Sequence, residues 1–141
     1  MAGYSGTPLV AKLGIKPGAV VRTIGHPRDL DFPSLLGPLP NGARLTSRRT
    51  TPAPDIVICC VESGRDLAER LPKSLAAIAR TGTVWVWWPK KSSARYKAGP
   101  RDLTEDTVRD LALELGVVDV KVCAVDETWS GLKLVYRLGD R

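Results

Sequence analysis

Residues 55–61 read DIVICCV, six consecutive apolar side chains behind one aspartate. A strand with one wet face alternates apolar and polar residues. An unbroken run needs cover on both faces, the setting of a central strand in a parallel sheet held between helices. The flanks agree with that reading. Ser63, with Asp66 three residues later, has capping-box spacing. Leu67, Leu71, Leu75 and Ile78 recur at steps of four, four and three, which places them on one face of a helix. Pro72 is expected to bend or split that helix. Thr81-Gly82 closes it, and residues 83–88 (TVWVWW) form the next strand. A strand, a helix and a strand in succession imply a right-handed crossover between parallel neighbours.

Working outward, residues 19–24 (AVVRTI) make an earlier strand that ends at Gly25-His26-Pro27. Pro33, Pro38 and Pro40 leave room for only a short helix around residues 32–36, and residues 43–47 form a short second strand. Thr7-Pro8 reads as an N-cap followed by proline at the first helical position, giving a short N-terminal helix over about residues 7–14 that Gly14 ends. Past the tryptophans, Thr104 caps a helix whose entry is stapled by Leu103 and Val108, and Gly116 ends it. Residues 117–125 and 132–138 are two further strands joined through DETWSG, an antiparallel C-terminal hairpin at one edge. The whole predicts one α/β domain over residues 1–141, a three-layer, mostly parallel, Rossmann-like sheet of about six strands.

The chain of 141 residues is 43% hydrophobic and 26% charged, enough for one core without disulfide or metal staples. No run approaches the roughly 20 apolar residues of a membrane span, and residues 1–6 lack the pattern of a secretory signal, so a cytoplasmic protein is expected. Cys59, Cys60 and Cys123 sit in apolar runs without metal-ligand spacing and read as buried small hydrophobes, with no metal. Net charge is +6, concentrated before residue 50 and in Lys90, Lys91, Arg95, Lys97 and Arg101. Such patches draw anions, although a solvated basic loop reads the same way.

Side chains alternate along residues 84–88, so Trp85 and Trp87 share one face and Val84, Val86 and Trp88 the other. Both faces are apolar, and Trp85 and Trp87 are expected to pack beneath helices. Trp88 ends the strand next to Pro89. Open parallel sheets bind ligands outside the carboxyl ends of their strands. That rim would gather Arg48 and Arg49 after the second strand, Trp88, Lys90 and Lys91 after the fourth, and Trp129 and Ser130 in the hairpin. These are the candidate ligand-binding residues, for an anionic small molecule or an acidic protein surface. Nucleic acid along residues 89–101 is the less favoured partner, and the edge strands leave room for a homodimer.

The turn after the first strand, TIGHPRD, holds one glycine where nucleotide sites use several, and arginines stand where an acid would take a ribose. Both features disfavour S-adenosylmethionine and NAD. As catalytic candidates only His26, the single histidine, and the adjacent Asp126 and Glu127 remain. A lone loop histidine is ordinarily solvated and a carboxylate pair ordinarily caps a hairpin, so the enzyme reading, acting on a phosphorylated or nucleotide-like substrate, is the alternative to a non-enzymatic binding or regulatory module.

Four stretches, MAGYSGTPLVAKLGIKPG at the start, WPKK at 88–91, DLTED at 102–106 and KVCAVDETWSGLKLVYR at 121–137, resemble the bacterial, largely actinobacterial, domain of unknown function family 3052. That resemblance implies no established activity. The layout, with IKPGAVV at the first strand and a last hairpin inserting one antiparallel strand, is also similar to class I methyltransferases. By that analogy the strands would lie in the order second, first, third, fourth, sixth, fifth. Fold alone does not convey methyl transfer.

Overall fold

The computed structural model describes residues 7–141; residues 1–6, read above as lacking a secretory signal, lie outside the described residues. Six strands pair into one sheet: β1 (Val20–Ile24), β2 (Arg44–Thr46), β3 (Ile56–Cys60), β4 (Thr83–Pro89), β5 (Val117–Ala124) and β6 (Trp129–Tyr136). Their order is β2-β1-β3-β4-β6-β5, as expected. β1 to β4 run parallel, and β6 lies antiparallel to both β4 and β5. β5 therefore points the same way as β4.

The apolar run that opened the reading is indeed the covered centre of this sheet, with every residue of β3 buried. On one face Val57, Cys59 and Val61 meet α3 (Gly64–Ala77) and α5 (Glu105–Glu114) through Leu67, Leu71, Val108 and Ala112. On the other, Ile58, Cys60, Trp85 and Trp87 meet α1 (Leu9–Lys12) and α2 (Phe32–Leu36). Trp87 stacks on Phe32 at 5.4 Å, and Trp85 Nε1 donates to the Leu13 carbonyl at 3.1 Å. The tryptophans thus fasten the thin N-terminal layer to the sheet. Among the described residues no helix is long and apolar enough to cross a membrane.

Several local expectations are corrected. α3 continues through Pro72 as one helix, since buried Leu71 and Leu75 on either side hold it to the sheet despite the missing N–H. Ser63 Oγ accepts from Asp66 N, but the Asp66 carboxylate reaches back to Glu62 N rather than to the cap residue. Pro8 is itself the N-cap of α1, with no side-chain cap from Thr7. Pro89 belongs to β4, pairing with Trp129, because a terminal position costs only one ladder bond. The basic stretch after it is no open loop: Ser93 caps a short helix, α4 (Ala94–Ala98), through Tyr96 N. Finally, Trp129, Ser130 and Gly131 are strand residues, so the hairpin connection is shorter than DETWSG.

The three cysteines are buried and unbridged. Burial pushes the Cys59 thiol up to about 11, and that of Cys60 further. The neutral thiol is the form the fold favours, so its contribution to stability is full below the ordinary thiol range and is lost progressively as pH rises from there through that raised value. Cys59 and Cys60 should therefore stay silent towards a disulfide reagent at pH 8 in the native protein and react on unfolding in guanidinium. Fast native-state labelling of either would contradict the packing.

Candidate functional site

The carboxyl ends of the strands converge as the sheet rule requires. Lys90 N donates to the Thr128 carbonyl at 2.8 Å, and Trp88 pairs with Ser130 across β4 and β6. The Trp-Pro-Lys-Lys turn and the Asp-Glu hairpin are therefore neighbours on one rim, joined by the ladder itself.

Two arginines close the middle of that rim. Arg95 on α4 donates to Glu62 after β3 at 3.1 Å, pairs with Asp29 after β1, and lies over the Trp129 ring, 5.2 Å from its centroid. Its hydrogen bond holds the Asp29 carboxyl below the usual carboxylate range. Desolvation works against the Arg95 charge, but the bonds to Asp29 and Glu62 outweigh it and raise its pKa. On the opposite face Arg70 donates to the Cys60 carbonyl at 2.9 Å and pairs with Asp66 at 3.4 Å. Gly25, at φ 75°, brings the β1 exit so close that an added Cβ would stand 2.5 Å from the Cys60 carbonyl and 2.8 Å from the Arg70 guanidinium. The β1 and β3 exits therefore stand in close contact, with Arg70 bonded on one face and Arg95 on the other.

Beside this closed centre a shallow depression of about 450 Å³ brings together Trp88, Lys90, Lys91 and Ser130. Its far wall is Thr104, Glu105 and Asp106 at the start of α5. The two carboxylates are engaged by Arg109, which also binds Asp119 of β5 at 3.0 Å. Those bonds, that to Glu105 first, hold the Arg109 charge firmly. Trp88 is only 5% exposed, because Leu103 and α5 share its cluster, so it offers an edge rather than a stacking face.

The remaining candidates are placed elsewhere or committed locally. Trp129 is 2% exposed within β6, on the α2 face. Asp126 Oδ1 accepts from Thr128 N and Trp129 N at 2.8 and 2.7 Å, the bonding of a turn former. Glu127 is exposed at the turn. His26 Nε2 donates to the Leu30 carbonyl at 2.6 Å while its ring stands edge-on to Phe32. Arg48 and Arg49 follow β2, three strand steps from β4, about 14 Å at ordinary strand spacing. Arg49 lines a different cavity from Lys90. Sequence reasoning missed Arg70 and Arg95. The Ser93 cap ahead of Ala-Arg-Tyr-Lys-Ala signalled the helix that carries Arg95, but nothing local shows which way its guanidinium turns.

The model of a family described as protein of unknown function (DUF3052) matches residues 10–138. The chain belongs to that family. No curated protein matches it. Among solved structures, a SAM dependent methyltransferase from Aquifex aeolicus is similar at TM-score 0.58 and 14% identity, over 89% of this chain and 86% of that one. Magnesium protoporphyrin IX methyltransferase from Synechocystis PCC 6803, with bound SAM, is similar at 0.55 and 12%, over 92% and 74%. A B. subtilis M1A22 tRNA methyltransferase follows at 0.51 and 10%, over 95% and 67%. At such identities the likeness shows a methyltransferase-like fold, which this DUF3052 member has.

Proposed function

We propose that this DUF3052 protein is a small binding or regulatory module rather than a methyl-transfer enzyme, and that it takes an anionic small molecule or an acidic protein surface in the depression beside Lys90 and Lys91. The observation that carries the reading is the filled crevice. Arg70, Arg95 and the close-set Gly25 backbone occupy the place at the strand exits where an open parallel sheet would seat a cofactor. The candidate bases support the same side of the argument, since His26 and Asp126 hold their own turns together. Nucleic acid is less well served than the sequence suggests, because Arg95 of the basic stretch is paired internally.

The reading is tested by thermal shift. S-adenosylmethionine at about 1 mM should leave the melting temperature unchanged, because only a ligand that binds the native form raises it. Poly-glutamate should raise it at low salt, and Lys90→Ala with Lys91→Ala should remove that rise. A clear stabilisation by S-adenosylmethionine would restore the alternative, a degenerate methyltransferase-like enzyme on a phosphorylated or nucleotide-like substrate. An unchanged poly-glutamate response in the double variant would move the anion site off this rim.

A further inference from the structure

A second concavity opens on the α3 side of the sheet, between β1, the connection that follows β2 and the C-terminal half of α3. It encloses about 350 Å³, and three cations from three separate elements line it: Arg22, Arg49 and Lys73. No acidic residue is among its lining residues. Among the described residues none of the three cations is in an ion pair, whereas Arg70, Arg95 and Arg109 all are.

Arg22 is the most telling of the three. It sits mid-strand in β1, paired with Val57, on the face where Ile24, Val57 and Cys59 build the core. Its Nε is buried and has no hydrogen-bond partner. An aliphatic side chain would suit that position better, yet an arginine stands there and lines the cavity beside Arg49 and Lys73. Three like charges lining one cavity repel each other; an anion converts the arrangement into attraction, and guanidinium forks match phosphate oxygens in particular.

The remaining walls narrow the ligand. Thr51 adds a hydroxyl, while Ala76 and Ala77 of α3 form a small apolar side. The volume lies near the lower end for small-molecule sites and suits one phosphorylated small molecule rather than a polyanion chain. We propose that this cavity binds a phosphate monoester, with the phosphate held by Arg22, Arg49 and Lys73 and the organic part against the alanines. The site is separate from the rim. Lys73 lies nine residues along α3 from Gly64, about 14 Å at helical rise, towards the other end of the sheet.

Isothermal titration and thermal shift with inorganic phosphate, ribose 5-phosphate and adenosine 5′-monophosphate test it. At least one ester should bind and raise the melting temperature. Arg49→Ala and Lys73→Ala, both at exposed positions, should each weaken binding by about tenfold, the loss of one charge-assisted contact. Arg22→Met should abolish binding while leaving the ligand-free protein as stable as before or more so. Lys90→Ala with Lys91→Ala should have no effect, so failure at the rim and failure here are read independently. The proposal is overturned if no probe binds, if binding survives Arg49→Ala combined with Lys73→Ala, or if Arg22→Met by itself strongly destabilises the empty protein.

Discussion

Trp85→Ala should remove about 4 kcal/mol of stability, the usual cost of emptying a large aromatic site, and with it a large share of the roughly 5–15 kcal/mol that holds a domain folded. Trp85 is wholly buried between the sheet and the N-terminal helices. Its loss opens a cavity and also strands the Leu13 carbonyl, which now accepts from Nε1. The melting temperature should fall by about 15 °C for a chain of this size. A sharper test compares phenylalanine at the two neighbouring tryptophans. Trp87 Nε1 is buried with no hydrogen-bond partner, so Trp87→Phe discards no bond and relieves an unsatisfied donor. Trp85→Phe breaks one. Urea denaturation should therefore rank Trp85→Phe as the more damaging by about 1 kcal/mol or more; equal losses would mean that the indole–carbonyl bond contributes nothing.

Gly25→Ala should cost about 3 kcal/mol or more, combining left-handed backbone strain with a steric clash. At φ 75° the new Cβ would meet the Cys60 carbonyl at 2.5 Å, and that carbonyl cannot retreat because it belongs to the central strand. Gly14 supplies the control. It has the same φ of 75°, but a Cβ there meets nothing within 4 Å. Gly14→Ala should cost only about 1 kcal/mol, the backbone term alone. The difference between the two variants, measured by denaturant unfolding, isolates the close approach of Gly25 to the end of β3. If the two cost the same, the β1 exit has slack enough to make room for a cofactor.

Much of the fold was legible because it rests on short-range regularities. The run 55–61 demanded cover on both faces and became the fully buried β3; the leucine spacing after Ser63 became α3; Thr104 caps α5 through Thr107 N. Less was legible where local signals compete. Pro72 broke the helical pattern on paper, but packing on both flanks outweighed one missing bond. Trp129 read as part of a loop because DETWSG is full of turn formers, yet pairing with Pro89 drew it into the ladder.

The candidate site divides along the same line. Which residues follow the strands is a matter of chain order, so Trp88, Lys90, Lys91 and Ser130 could be assigned to one rim from the sequence alone. Where a long side chain points is a different matter. Arg95 looked like one cation in a basic stretch and instead spans two loops, at Asp29 and Glu62. Arg22, one residue of the strand AVVRTI in the sequence, lines a cavity together with Arg49 and Lys73. Periodicity and capping chemistry act over a few residues and are written in the sequence itself. The pairing of charges separated by tens of residues depends on distances that exist only once the sheet has closed, and that is why the tertiary structure alone decided which cations are paired within the fold.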